Sequence, residues 1–181
     1  MKRARSRSRP QPQPQPRLHN KSKKSTLSVL DYTGTRIRAW YRDIRKRCRP
    51  VTGLIEHSPC YKFGRARDGR YTVKGTKVAS AYQIVAYCVF GRRALKKVAT
   101  SKRRNDITIS HLCGTRYCCN PQHIILETKA LNDERTHCHF VLNSAFEAYG
   151  FNDYRGVRRI LKYGGCPHHP RCANERPEEV Y

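Results

Sequence analysis

Acidic residues are scarce in this chain, and none occurs before Asp31. The 181 residues include 13 Asp and Glu against 38 Lys and Arg, so the formal net charge is +25 at pH 7. Such an excess of positive charge requires a polyanionic partner, and a nucleic-acid backbone is the usual one. The composition therefore favours a nucleic-acid-binding protein over one that acts on a small-molecule substrate.

Long apolar stretches are also missing. No segment approaches the roughly 18 apolar residues of a membrane-spanning helix, and no basic helix has the Leu/Phe face that binds a membrane surface, so we expect no membrane partner. The first residues, Met-Lys-Arg-Ala-Arg-Ser-Arg, contain no apolar signal sequence. We therefore expect a reducing compartment, in which the nine cysteines are more typical of metal sites than of disulfides.

Residues 1–26 are of low complexity and basic, with alternating Gln and Pro up to Pro16. Alternating proline favours extended backbone and prevents a packed core, so we expect a disordered basic arm. Its two clusters of Lys and Arg are typical of a nuclear localisation signal, and the same charges suit phosphate contacts. We expect a protein of a eukaryotic nucleus, with one folded domain over residues 27–181.

A basic segment and a β-hairpin begin the predicted domain. Residues 27–59 fit a basic helical pattern, in which Trp40 is expected to anchor the core rather than to stack on bases. Residues 60–77 fit a hairpin whose turn is Asp68-Gly69. A two-stranded ribbon with a basic face fits the major groove of DNA. The residues expected to contact DNA are Arg65, Arg67, Arg70, Lys74 and Lys77.

The second half of the domain predicts two strands and two helices. The expected elements are, in order, a buried helix over 78–90 ended by Gly91, a strand over 107–109 leading to His111, a loop, a strand over 124–126, and a helix capped by Thr128 that runs to about His137. Residues 107–137 thus form a compact strand-loop-strand-helix unit, and the whole domain is expected to be α+β.

The loop of this unit carries a group of zinc-type ligands. The spacing Cys113-x4-Cys118-x4-His123 supplies three ligands, whereas a tetrahedral structural zinc needs four. Cys60 is the best upstream candidate for the fourth. Cys119 competes with Cys118, because adjacent cysteines point in different directions and only one is expected to reach the metal.

A second group of ligands follows over residues 138–172. Its members are Cys138, Cys166, His168 and Cys172, with His169 as the competitor of His168. Cysteine and histidine are the ligands that zinc prefers. Because hydrophobic residues make up only 38% of the chain, we expect two structural Zn²⁺ ions per chain to supply part of the folding energy.

His111 and Asn132 are not needed to complete either zinc site. A histidine at the end of a strand can deprotonate a water molecule, and an amide oxygen in the following helix can hold a hard divalent cation against a phosphate. The spacing allows the two side chains to face each other across a small gap. A structural histidine and a solvated asparagine fit the same spacing, so the residues alone leave both interpretations open.

These residues together resemble a known family. Ser110-His-Leu-Cys113, Cys118, Asn120-Pro121, His123, Asn132, Cys138 and Cys166-x-His168-x3-Cys172 are similar to the His-Cys box homing endonucleases. This is the family of intron-encoded nucleases of the His-Me finger (ββα-metal) superfamily best known from a slime-mould enzyme that cuts ribosomal DNA. The resemblance extends from Cys60 to Cys172, and residues 139–165 form an insertion longer than is usual for the family.

The resemblance implies a zinc-stabilised ββα-metal core and a site-specific, double-strand DNA endonuclease. His111 would be the general base that activates water, and Asn132 would hold one Mg²⁺ per active site. The family's active-site arginine is replaced at the matching position by Lys74, with Lys77 or Arg70 as alternative substitutes. A lysine supplies charge without the bidentate geometry of a guanidinium.

Cutting both strands with one active site per chain implies a homodimer. The family's exchange of C-terminal tails is not expected here, because only nine polar residues follow Cys172. The insertion either supplies an interface or covers the second zinc loop, through Val141, Leu142, Phe146, Tyr149 and Phe151. Two other functions stay open: a non-catalytic zinc protein that binds DNA or RNA, and an RNA-packaging protein.

Overall fold

The computed structural model describes residues 27–64, 69–73, 76–98, 103–150, 153–163 and 166–173, with the backbone alone at 76 and 77. These ranges contain four helices and six short strands. The helices are α1 (Gly34–Arg47), α2 (Ala81–Leu95), α3 (Lys129–Tyr149) and α4 (Arg155–Lys162). The strands are β1 (Cys48–Val51), β2 (Cys60–Phe63), β3 (Arg70–Val73), β4 (Thr76–Ser80), β5 (Ile107–His111) and β6 (Ile124–Thr128). No helix in this part of the chain is both long and apolar enough to span a bilayer.

The strands form three two-stranded antiparallel sheets within the described ranges: β1 with β2, β3 with β4, and β5 with β6. In the third sheet the register runs from Ile107 opposite Thr128 to His111 opposite Ile124. Two short 3₁₀ helices, Ser28–Asp31 and Pro121–His123, precede α1 and β6. The predicted α+β class is confirmed, with small sheets that leave the helices to build most of the core.

The predicted hairpin over residues 60–77 is wrong. β2 pairs with β1, which lies in the segment that the sequence predicts to be helical, and β3 pairs with β4. Alternating side chains identify strands but carry no information about which strand is the partner. Arg65, Arg67, Asp68 and Lys74 lie outside the described residues, so the predicted turn and three of the predicted DNA contacts are not described.

A first hydrophobic core lies between α1, α2 and the 3₁₀ helix before α1. Ile37, Trp40 and Ile44 recur at helical spacing on one face of α1 and are buried. The Trp40 ring meets Tyr32 edge-on at 4.7 Å and lies 5.6 Å from the ring of Tyr71 on β3. The predicted role of Trp40 as a core anchor is confirmed.

The helix predicted over residues 78–90 begins three residues later than expected, and α2 continues beyond Gly91 only across a kink. Val78 lies on β4, and α2 begins at Ala81 because Ser80 and Gln83 form a reciprocal capping box. Gly91 has a φ of 76°, a left-handed conformation that favours glycine, so the regular helix is interrupted at Gly91 as predicted and a short helical segment follows to Leu95. Val78 fits the helical spacing of the apolar residues although it lies on the strand. The capping box at Ser80 marks where the helix begins.

The strand-loop-strand-helix unit is formed by β5, β6 and α3. The Thr128 hydroxyl accepts a hydrogen bond from the Leu131 amide at 3.3 Å, so the predicted cap of α3 is confirmed. The helix runs to Tyr149 rather than to about His137, so Cys138 lies inside a helix and residues 138–172 are not a simple zinc loop.

A second core covers the C-terminal cysteines. Leu142 and Phe146 of α3 and Val157 of α4 are buried among them, whereas Val141 and Tyr149 are 42% and 44% exposed. Leu142 and Phe146 are therefore unavailable for a dimer interface. The sequence left two roles open for the insertion, a dimer interface or a cover for the second zinc loop. Leu142 and Phe146 cover the cysteines of that loop.

Candidate metal centres and active site

The first predicted group of ligands comes together around the loop between β5 and β6. Cys60 begins β2, Cys113 and Cys118 lie in the loop, and His123 ends the second 3₁₀ helix. All four are buried, and their ligand atoms lie within 4.8 Å of one another. The His123 Nδ1 atom lies 3.7 Å from the Cys60 Sγ and 3.5 Å from the Cys118 Sγ. Four buried donors of the Cys₃His type fit a structural zinc site.

Polar groups outside the cluster orient the His123 ring. Its Nε2 atom lies 3.0 Å from the Ser58 hydroxyl, which leaves Nδ1 for the metal. The Asn120 amide donates to the Ser58 hydroxyl at 3.1 Å and to the Pro59 carbonyl at 2.8 Å. Such second contacts fix the tautomer and position of a metal-ligating histidine. Asn120-Pro121 is therefore part of the site although neither residue reaches the metal position.

The thiols of this cluster share their protons unequally. Hydrogen bonds from Cys113 and Cys118 hold the pKa of Cys60 far below its ordinary value. The pKa of Cys113 is raised well above its ordinary value, first by its hydrogen bond with Cys118 and then by Cys60 and by burial. Without a cation the cluster retains protons that a divalent metal would displace, so metal binding there is coupled to proton release.

Cys118, not Cys119, belongs to the cluster. The Cys119 amide donates a 2.8 Å hydrogen bond to the Tyr61 carbonyl on β2, and its side chain lies in the first hydrophobic core. Cys118 therefore supplies a ligand to the cluster, whereas Cys119 packs in the hydrophobic core.

The second predicted group of ligands also comes together. Cys138 of α3 and the loop residues Cys166, His168 and Cys172 are buried, with their ligand atoms within 4.8 Å of one another. The His168 Nδ1 atom lies 3.4 Å from the Cys166 Sγ and 3.5 Å from the Cys172 Sγ. His169 is exposed and is not part of the cluster. This donor set also fits a structural zinc.

A buried ion pair joins this second cluster to the ββα unit, and no local sequence pattern predicts it. The fully buried Arg135 of α3 donates from Nε to both carboxylate oxygens of Glu127 on β6, at 3.0 and 2.7 Å. Its Nη1 atom donates to the Pro170 carbonyl at 2.7 Å and contacts the Cys172 Sγ at 3.5 Å. Nothing in the local pattern distinguishes Arg135 from the many exposed arginines of this basic chain.

His111 ends β5 and points back over the metal loop. Its Nε2 atom lies 3.1 Å from the carbonyl oxygen of Cys118. A carbonyl only accepts, so Nε2 carries the proton and Nδ1 carries the lone pair, which accepts no hydrogen bond from a residue that the structure describes. Burial lowers the pKa of His111 to about 4, against the opposing effect of the Cys118 hydrogen bond. The imidazole is therefore neutral at pH 7, the form that can take up a proton.

Asn132 lies in the first turn of α3 and is tied to the same strand end. The Ser110 hydroxyl donates a 2.9 Å hydrogen bond to the Asn132 Oδ1 atom. An amide oxygen has two lone pairs, so one remains for a second partner. Because Ser110 directly precedes His111, this bond ties the first turn of α3 to the end of the strand that carries His111.

Aromatic and basic side chains surround the imidazole. Tyr82 of α2 meets the His111 ring edge-on at 5.2 Å, and the ring of Tyr117 lies 5.9 Å from that of Tyr82. Burial raises the pKa of Tyr82, whereas the charges of Arg116 and Arg70 act in the opposite direction, so both guanidinium groups lie near this tyrosine. The sequence predicted Arg70 as a DNA contact and as an alternative to Lys74 in the active site, and it gave no indication of Arg116.

The structure describes little of the other basic residues that were predicted in the active site. The backbone of Lys77 lies on β4, and its side chain is outside the described residues, as is the whole of Lys74. Arg70 on β3 is exposed, and it is the described basic residue from the predicted set that lies near Tyr82.

A ββα unit with two buried Cys₃His clusters is compatible with a zinc-stabilised protein of the His-Me finger type. Residues 48–179 match the family model described as the zinc-binding loop region of homing endonuclease. The match covers more than half of the chain, and the chain belongs to this family. No curated protein and no solved structure matches it.

Proposed function

We propose that this protein is a magnesium-dependent endonuclease that hydrolyses phosphodiester bonds of double-stranded DNA. The observation that carries the proposal is the placement of His111. Its Nε2 atom is bound to the Cys118 carbonyl, so Nδ1 carries the lone pair, and Ser110 ties Asn132 to the same strand end. A module that only binds nucleic acid has no use for a neutral histidine and an oriented amide at the edge of a zinc cluster.

In the proposed reaction, His111 Nδ1 is the general base. A water oxygen forms a bond to phosphorus as its proton passes to Nδ1, and the bond from phosphorus to the 3′ oxygen breaks. Burial keeps the imidazole neutral before the reaction. The Cys118 carbonyl keeps its hydrogen bond to Nε2 and stabilises the imidazolium that forms. Zinc thus has a structural role, and the proton transfer belongs to the histidine.

Asn132 Oδ1 would hold the Mg²⁺ ion. A neutral amide oxygen fixed by a hydroxyl donor is a suitable ligand, because Mg²⁺ takes oxygen ligands and is commonly bound through one or two protein oxygens, several waters and a substrate phosphate. When bound, Mg²⁺ supplies positive charge to the scissile phosphate and to the leaving oxygen. Asn132 orients that ion, and Ser110 orients Asn132.

We assign the phosphate-contacting arginine to Arg70 in preference to Lys74. Arg70 is exposed and close enough to Tyr82 to affect its pKa, and Tyr82 packs against His111. A guanidinium offers the bidentate hydrogen bonding that a lysine lacks. Lys74, Lys77, Arg65 and Arg67 are proposed as further contacts to the DNA backbone.

The proposal also includes the assembly and the target. A double-strand cut by a protein with one His111 per chain requires a homodimer, and a ribosomal DNA target is suggested by the resemblance to the family.

The basic arm of residues 1–26 is proposed as a nuclear localisation signal. Deleting residues 2–24 should reduce nuclear entry of a fluorescent fusion and weaken DNA binding at raised salt; an unchanged cellular distribution would argue against the signal.

The test is cleavage of a plasmid carrying ribosomal DNA repeats, beside a random-sequence target library, with and without Mg²⁺. Wild-type protein should give discrete, Mg²⁺-dependent cuts. His111→Ala should lower the rate by about 100- to 10,000-fold while zinc content and DNA binding stay unchanged. His57→Ala is the matched control, since His57 is exposed and in neither cluster. Tight binding with no cut on either substrate would contradict the nuclease and favour a non-catalytic zinc protein.

A further inference from the structure

Three of the nine cysteines are left over by the two zinc clusters: Cys48, Cys88 and Cys119. Cys48 and Cys119 form a pair. Both side chains line one cavity of about 590 Å³, and the Cys119 thiol is close enough to Cys48 to lower its pKa. In the sequence Cys119 competes with Cys118 as a zinc ligand, and the fold excludes it from the metal cluster. Cys48 is the thiol that shares a cavity with it.

The backbone holds the two thiols in place. Cys48 begins β1 directly after α1, where it pairs with Phe63 of β2. Cys119 is fastened to the same strand β2 by the hydrogen bond from its amide to the Tyr61 carbonyl, at 2.8 Å. Because both cysteines are anchored to one strand, their proximity is a property of the fold rather than of two flexible side chains.

The two thiols differ in accessibility. Cys48 is half-buried and lies at the wall of the cavity, whereas Cys119 is 4% exposed. The neighbouring Cys119 thiol lowers the pKa of Cys48, with burial as a weaker opposing effect. A partly accessible thiol with more thiolate character is the one that reacts first with an oxidant, and a buried neighbour then resolves the product.

We propose that Cys48 and Cys119 form a reversible disulfide when the protein meets a peroxide. The Cys48 sulfur attacks one oxygen of hydrogen peroxide, the O–O bond breaks, and Cys48 sulfenic acid and one water form. The Cys119 sulfur then attacks the Cys48 sulfur, the S–O bond breaks, and a disulfide and a second water form. One peroxide is reduced by two electrons as two thiols are oxidised, and a dithiol reductant reverses the change.

The position of the bond gives it a structural effect. It would tie β1 to the metal loop next to Cys118, whose carbonyl binds His111. The six cysteines of the two clusters are all buried, and zinc coordination would withhold their thiolates from the oxidant. Oxidation is therefore expected to link these two residues, to leave both zinc ions bound, and to raise the thermal midpoint of the chain.

The experiment treats the full-length, zinc-loaded protein with a small excess of hydrogen peroxide, followed by mass analysis and thiol counting after denaturation with a chelator. The free-thiol count should fall by two, and dithiothreitol should restore it. Trypsin should release a linked pair of peptides, 48–62 and 117–129. Each contains a second cysteine, so a further cut after Glu56 separates Cys48 from Cys60, and fragmentation separates Cys119 from Cys118.

Three variants complete the test. Cys48→Ser and Cys119→Ser should each lose the linked peptides while retaining two zinc ions. Cys88→Ser is the matched control, since Cys88 is half-buried, outside both clusters and raised in pKa by burial, and it should oxidise like wild type. The proposal is overturned if wild type forms no 48–119 link, or if oxidation instead joins cluster cysteines and releases zinc. This outcome is independent of whether the protein cuts DNA.

Discussion

The imidazole Nε2 atom of His111 lies 3.1 Å from the carbonyl oxygen of Cys118, so a ligand of the first Cys₃His cluster also orients the proposed general base. The position of the proposed general base therefore depends on the first metal site. Loss of the metal would release the loop that carries Cys118, and the free Nδ1 lone pair would lose its fixed direction.

Removal of the first zinc should abolish cleavage through this connection. Cys113→Ser should release about one zinc per chain and lower the free energy of unfolding by several kcal/mol, because metal binding contributes directly to the folding energy of such sites. Zinc is counted by elemental analysis and stability is measured by urea unfolding. Cys88→Ser, which changes a cysteine outside both clusters, should retain two zinc ions. An unchanged zinc content in Cys113→Ser would reject the ligand assignment.

Gly53 should tolerate no side chain, because a Cβ atom there would lie 2.6 Å from the Cys60 Sγ. Gly53→Ala has to displace this thiolate and should weaken zinc binding at the first site about 10- to 100-fold, the size of effect seen for groups that position ligands. Competition with a chromogenic chelator measures the affinity. Gly34→Ala is the control, since its Cβ would only reach the Tyr87 hydroxyl at 3.4 Å; equal affinities in both variants would contradict the prediction.

The buried pair of Arg135 and Glu127 should be strongly coupled. Arg135→Met leaves the Glu127 carboxylate buried without its partner and should cost about 3–5 kcal/mol of unfolding free energy. The double variant with Glu127→Leu should recover part of this loss, since two apolar side chains leave no isolated charge. Both values come from urea unfolding of zinc-loaded protein.

An exposed ion pair provides the comparison. Arg158 of α4 contacts Glu56 at 3.2 Å, with side chains 61% and 30% exposed, so Arg158→Met should cost less than about 1 kcal/mol. Two results would contradict strong coupling between Arg135 and Glu127. One is that Arg135→Met lowers the free energy of unfolding no more than Arg158→Met does. The other is that the double variant is less stable than Arg135→Met alone.

The pH dependence of cleavage should reflect the lowered pKa of His111. A general base must be neutral, and a histidine with a pKa of about 4 stays neutral as the pH falls from 7.5 to 5.5. Acid then protonates the imidazole and removes activity as the pH approaches that pKa. An ordinary histidine, with a pKa of about 6.5, would lose most of its activity over the same range.

The measurement is the single-turnover cleavage rate against pH, with bound zinc followed at each point so that metal loss is not mistaken for protonation. A midpoint near 6.5 with both zinc ions retained would show that His111 is not desolvated during the reaction.

Local patterns in the sequence were sufficient for several features. Thr128 was recognisable as a cap because a cap acts within one helical turn. The set Cys113, Cys118 and His123 was recognisable because its members lie within one loop. Its extension to Cys60 rested on ligand number, since a closed zinc site takes four donors. The +25 charge restricted the class of partner without any structural information.

Only the tertiary structure decided which neighbours meet across long separations. The sequence pattern of β2 is the same whether it pairs with β1 or with β3, and the fold pairs it with β1. Likewise Cys118 and Cys119 are equivalent in the sequence, and the fold places one in the metal cluster and the other in the first hydrophobic core. Arg135 shows the same principle, because a buried ion pair depends on burial that local spacing does not record. The sequence by itself determined the ligand chemistry and the charge, since these are properties of residue types. The fold decided pairing, orientation and accessibility, since these depend on contacts between residues that are distant in the chain.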